Sequence, residues 1–175
     1  MATSGKDLSA FDAEVLHDSA HFRVGIVVSD WNNEITNALC AGAMEVLETA
    51  GIPESSILVR RVPGAFETPL AAQWMLGPGA CDGVICIASI IRGETSHFDF
   101  VSAATAHGVQ DVSLKTGKPA IFCVLTDDNM EQSRARSGGA HGNKGVEAAV
   151  ACIQMMKLGE SLSSGGHLSG WGVGM

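Results

Sequence analysis

Four short apolar runs recur along this chain with helix-period segments between them, and that alternation limits the possible folds more than any single motif. Phe22-Arg23-Val24-Gly25-Ile26-Val27-Val28 is the first, and Gly83-Val84-Ile85-Cys86-Ile87-Ala88 is the third. Each is too short to span a membrane and β-branched enough to read as a strand. Ile57 to Val62 and Pro119 to Leu125 supply the second and fourth. After the first run, Ile35, Leu39, Gly42, Ala43, Val46, Leu47 and Ala50 recur at spacings of three and four. Such spacing marks one face of a helix, which Gly51 ends and Pro53 keeps from resuming. Further helices are expected over Glu67 to Leu76, Phe98 to Lys115, Asp128 to Arg136 and Asn143 to Leu158. Strands alternating with helices require crossover connections, which are right-handed and build a parallel sheet. The predicted class is therefore α/β: a three-layer α/β/α fold, a four-stranded parallel sheet with helices on both faces. Residues 22–158 form the expected domain. Residues 1–21 form an N-terminal arm, and residues 159–175, with six glycines and four serines, form a flexible tail.

Composition narrows the function classes. Apolar residues make up 46% and charged residues 17%, which argues for a packed core rather than disorder. Eleven basic against 19 acidic residues give a net charge of −8, which works against nucleic acid or an anionic membrane as partner. The five cysteines, Cys40, Cys81, Cys86, Cys123 and Cys152, show neither a CxxC pair nor Cys/His metal spacing. A reducing compartment fits them. Residues 1–21 lack the apolar run of a signal peptide and carry four acidic residues and no arginine. The expected location is the cytoplasm, with the plastid left open for a chain whose transit peptide has been removed.

Open parallel sheets bind ligands beyond the carboxyl ends of their strands. That rule collects Trp31 and Asn32, Ala65 to Glu67, Ser89 to His97, and Thr126 to Asn129 along one edge. The turn Ile90-Ile91-Arg92-Gly93-Glu94-Thr95-Ser96-His97-Phe98-Asp99 is the richest of these. Helix-start N–H groups there would face an anion, beside an imidazole suited to moving protons near neutral pH. Each residue also has a plainer role. His97 is equally a surface histidine at a helix start, and Arg92 either holds a ligand or pairs with Asp99 or Glu94. Thr95 and Ser96 are ordinary capping types. Trp31 either stacks on a planar ring or sits at an interface, and Phe66-Glu67 offers a ring and a carboxylate or simply opens a helix. Arg136 and Lys144 flank Gly138-Gly139-Ala140-His141-Gly142, an anion-holding loop or a solvated connection. Asp127-Asp128 reads better as a helix N-terminus than as a metal pair, and no metal is expected.

Three segments change the balance when taken together: Val62-Pro63-Gly64-Ala65-Phe66-Glu67, the turn from Ile90 to Asp99, and Gly142-Asn143-Lys144-Gly145. In this order and at these distances the chain resembles the lumazine synthase family of riboflavin biosynthesis over residues 22 to 158. The resemblance implies a flavodoxin-like strand order and a condensation that needs neither cofactor nor metal. The substrates it implies are 5-amino-6-(D-ribitylamino)uracil and 3,4-dihydroxy-2-butanone 4-phosphate. It also implies roles for individual residues. Trp31, where the family usually has Phe, stacks on the pyrimidine; Ala65, Phe66 and Glu67 hold the ribityl chain; Ser89, Ile90 and Ile91 present backbone groups to the pyrimidine edge. Glu94 and Thr95 give backbone amides to phosphate, and His97 transfers protons. Phe122 and Arg136 reach the site of a neighbouring subunit, where the arginine grips phosphate, and Lys144 lies near the same region. The implied partners are these small molecules and further copies of the chain, as pentamers that share sites, alone or in a sixty-subunit shell. A non-catalytic flavin or lumazine carrier on the same scaffold is the rival; it would have no use for His97 and Arg136.

Overall fold

The computed structural model describes residues 13–164. Within it β1 (Val24–Ser29) leads to α1 (Asn33–Thr49), β2 (Ile57–Val62) to α2 (Thr68–Met75), and β3 (Gly83–Ile91) to α3 (His97–Thr116). β4 (Ala120–Asp127) is followed by α4 (Met130–Arg136), the small strands β5 (Ser137–Gly139) and β6 (Gly142–Asn143), and α5 (Lys144–Ser163). The four long strands are parallel in the order β2-β1-β3-β4, with Val24 opposite both Ile57 and Gly83, and Val84 opposite Ala120. This is the expected three-layer α/β/α class with flavodoxin-like order.

The strands look uniformly apolar, yet their alternation still sorts side chains between two cores. Val24, Ile26, Val28, Ile85 and Ile87 pack with Ile35, Leu39, Leu47, Ala149, Val150 and Ile153 of α1 and α5. Val27, Val84 and Cys86 pack on the opposite face with Ala72, Val109 and Val112 of α2 and α3. Burial pushes the Cys123 and Cys152 thiols up to about 12, so both are inert core hydrophobes, and all five cysteines are free.

Several expectations are revised. β3 does not stop at Ala88: Ser89, Ile90 and Ile91 continue the strand because Leu125, Thr126 and Asp127 of β4 run beside them. The glycine-rich loop after α4 closes into an antiparallel pair, β5 with β6. The two aspartates do not cap α4. Asn129 does so, its side chain accepting from the Gln132 N–H at 3.0 Å. The segment expected to be flexible from Gly159 is helical as far as Ser163, where the hydroxyls of Ser161 and Ser163 each donate at 2.8 Å to carbonyls of the preceding turn. Residues 165–175 of that tail lie outside the described residues, as do residues 1–12 of the arm. The remainder of the arm is packed, with Leu16 buried in the core and the Lys157 Nζ donating to the His17 carbonyl at 2.8 Å.

Candidate active site

β1 lies between β2 and β3, so the chain leaves its carboxyl end to one side and later returns on the other. A crevice opens where these paths diverge. Its volume is about 970 Å³, and its lining includes Trp31 after β1, Ala65, Phe66 and Glu67 after β2, Ser89 to Ile91 of β3, and Thr95 and His97 at the start of α3.

Each wall has a local cause. Asn32 takes the left-handed conformation, φ 55°, which lets the chain turn from β1 into α1. Its Nδ2 donates to the Ser89 carbonyl at 2.9 Å and so pins the turn carrying Trp31 to the end of β3. The Arg92 N–H donates to the Asp127 carbonyl at 3.0 Å, which fixes where the next turn departs. The Arg92 side chain is occupied by structure: it meets Asp99 at 3.2 Å and Asp128 at 3.1 Å and lies 4.1 Å over the Phe98 ring. The predicted partner Asp99 is therefore correct, and Asp128 replaces Glu94.

The start of α3 has the chemistry of an anion site. The Thr95 hydroxyl accepts from the His97 N–H at 3.4 Å, and Ser96 makes no side-chain cap. The backbone amides of Glu94, Thr95 and Ser96 have no acceptor among the described residues. They stand at the positive end of a 20-residue helix. The exposed imidazole of His97 has no hydrogen-bonding partner among the described residues and lines the same hollow. Trp31 is 73% exposed and Phe66 61%, so two aromatic faces are open to a ligand.

Glu94 stands between the lining residues Gly93 and Thr95 without lining the crevice itself. Phe122, Arg136 and Lys144 are outside it. Phe122 is 41% exposed on the edge strand β4. Lys144 opens α5 and its Nζ meets Glu147 at 2.6 Å. Arg136 ends α4, where its Nη1 donates to the Gln132 carbonyl at 3.0 Å. Phe100, Val101 and Ala104 were not anticipated, yet they line the crevice from α3 together with His97. Their spacing of three, four and seven from His97 is the signal that would have found them.

Known proteins resemble this chain along most of its length. A profile of 6,7-dimethyl-8-ribityllumazine synthase matches residues 21–160. The chain belongs to the 6,7-dimethyl-8-ribityllumazine synthase family. A protein of that name from Flavobacterium johnsoniae is 47% identical over 163 residues, covering 93% of this chain and 86% of its own length. Another from Christiangramia forsetii is 46% identical over 159 residues, covering 90% and 95% respectively. A third, from Cytophaga hutchinsonii, is 47% identical over 156 residues, covering 89% and 98%. The lumazine synthase match runs from before β1 into α5, ending at residue 160. Among the described residues no helix is long and apolar enough to cross a membrane.

Proposed function

We propose that this member of the lumazine synthase family condenses 5-amino-6-(D-ribitylamino)uracil with 3,4-dihydroxy-2-butanone 4-phosphate, giving 6,7-dimethyl-8-ribityllumazine, phosphate and water. One observation supports the site assignment above all. A single hollow gathers an aromatic face at Trp31, a carboxylate at Glu67, the helix-start residue Thr95 and the His97 imidazole.

Trp31 stacks on the pyrimidine, whose edge is met by backbone groups of Ser89, Ile90 and Ile91. Ala65 and Phe66 border the ribityl chain, and Glu67 accepts from its hydroxyls. The amides at Glu94 and Thr95 receive the phosphate. His97 takes a proton as the 5-amino nitrogen attacks the ketone carbon, and returns one to the oxygen that leaves as water. Loss of the proton from the neighbouring hydroxyl-bearing carbon lets phosphate depart with the electrons of its C–O bond. The enol left behind becomes a ketone, and the ribitylamino nitrogen closes on that carbon, giving up its proton as a second water leaves. No cofactor or metal is assigned a step. Holding both substrates in register contributes most: proximity supplies up to about 7–11 kcal/mol, whereas one proton carrier typically gives about 10² to 10⁴ in rate.

Phe122, Arg136 and Lys144 act from a neighbouring subunit in this proposal, with Arg136 gripping phosphate as a bidentate donor. The assembly is a pentamer with shared sites, further arranged as a sixty-subunit shell. The proposed location is the cytoplasm, supported by five free cysteines. Mixing both substrates with the protein should raise lumazine absorbance and release inorganic phosphate in equal amounts. Ligand binding without phosphate release would overturn the catalytic reading in favour of a carrier.

A further inference from the structure

The end of β4 and the short helix α4 enclose a chain of polar side chains. Asp127 is the last residue of β4, and its side chain is only 8% exposed. A carboxylate in that position is costly unless its oxygens are occupied. Oδ2 accepts from the Ser133 hydroxyl at 2.7 Å, and Ser133 is fully buried. Oδ1 faces Arg136 Nη1 at 3.8 Å. At the other end, the Ser133 Oγ lies 3.5 Å from the Oγ of Ser89, a residue of the crevice lining. Since an ionised carboxylate only accepts, Ser133 must give its proton to Asp127 and can only accept from Ser89. The whole row is thereby oriented, with its negative end against the guanidinium.

We infer that Asp127, locked by Ser133, is the positioning residue that aims Arg136 at the phosphate substrate. The Gln132 carbonyl alone gives Arg136 one neutral acceptor at Nη1, and an arginine with one such tether keeps most of its rotamers. The buried charge of Asp127 adds a second, fixed restraint. Its own backbone is held by the Arg92 N–H, so the restraint is anchored to the turn that leads into α3 and the crevice. This inference rests on the proposed role of Arg136 and adds the residues that make that role precise.

The test is Asp127→Asn. The amide has the same shape, its oxygen can still face Arg136, and its NH₂ can donate to Ser133, which reverses the row without opening a cavity. KM for the butanone phosphate should rise about three- to tenfold, with kcat and KM for the ribitylaminouracil nearly unchanged. Ser133→Ala, which keeps the charge and removes its lock, should shift the same constant in the same direction by a smaller factor. In an Arg136→Ala background neither substitution should shift it further. A KM rise of equal size with and without Arg136 would mean a general structural effect and overturn the inference. Arg136→Ala raising KM while both Asp127→Asn and Ser133→Ala leave it unmoved would overturn the inference alone. Arg136→Ala without effect on that KM would overturn the role of Arg136 and the inference with it.

Discussion

A side chain at position 64 would occupy the space in which Glu67 and Trp31 approach each other. A Cβ built on Gly64 meets Glu67 Oε2 at 3.0 Å and Trp31 Cδ1 at 3.5 Å. The backbone there is extended, φ −148°, so alanine carries no conformational strain. What must yield is the free end of a flexible side chain, which costs little stability but displaces the carboxylate assigned to the ribityl hydroxyls. Gly64→Ala should therefore raise KM for the ribitylaminouracil about three- to tenfold, since a displaced hydrogen bond to a charged group is worth about 1 kcal/mol or more. Its melting temperature should stay within a few degrees of the parent. Kinetics against each substrate in turn, with thermal melting alongside, checks both halves. An unchanged KM would remove Glu67 from the ribityl subsite. A large loss of stability would show that Gly64 is kept for packing.

Helices α1 and α5 meet backbone to backbone. A Cβ on Gly145 would lie 1.9 Å from the Leu39 carbonyl oxygen, so the two helix backbones touch directly. Asn143 stitches the contact, its Nδ2 donating to the Ala38 carbonyl at 2.9 Å and its Oδ1 accepting from the Gly145 N–H at 2.8 Å. Because the obstruction is backbone rather than a movable side chain, Gly145→Ala should cost about 3 kcal/mol or more, beyond ordinary overpacking. Denaturant unfolding would measure it; a loss under about 1 kcal/mol would mean that the helices can slide apart cheaply. This contact also explains what was legible in the sequence. Asn143-Lys144-Gly145 could be read as a signature, but its cause, a helix-to-helix approach between residues a hundred positions apart, could not. Short apolar runs located the four long strands, and a period of three and four located α1. Periodicity gave no sign that Ser89 to Ile91 stay in the strand, because their pairing partners are on β4. The β5–β6 hairpin was hidden for a similar reason: it depends on left-handed turns at Gly138, φ 117°, and Gly142, φ 72°, which glycine permits but does not announce. For the site, the residues contributed by consecutive turns were legible from motif. The α3 stripe follows from helical spacing once His97 is placed in the crevice, whereas the Asp127–Arg136 approach arises only from packing.

At the scale of the whole molecule, the two edges of the sheet differ. β2 exposes Arg60 and Arg61, and Arg61 is paired with Asp30 at 3.0 Å, a charged edge that discourages further pairing. β4 instead leaves Phe122 open to solvent, and Trp31 and Phe100 are each 73% exposed around the crevice. Exposed aromatic side chains on this scale suit a surface covered by another chain. Within one chain the crevice includes His97 but not Arg136. A head-to-tail ring in which each chain gives its imidazole to one site and its guanidinium to the next would complete every site, and such a ring closes by rotation. The arrangement makes an asymmetric prediction. His97→Ala should slow turnover and Arg136→Ala should weaken phosphate-substrate binding when each is assembled alone. When the two variants are co-expressed at equal levels and assemble at random, about a quarter of the sites should regain both wild-type groups, because each site draws one group from each of two neighbours. Activity of the purified mixture should therefore exceed the mean of the two separate variants. If it equals that mean, both groups come from one chain and the shared site is wrong. The measurement also separates assembly from chemistry: a mixture that forms intact rings yet regains nothing would place the failure in the site rather than in the interface.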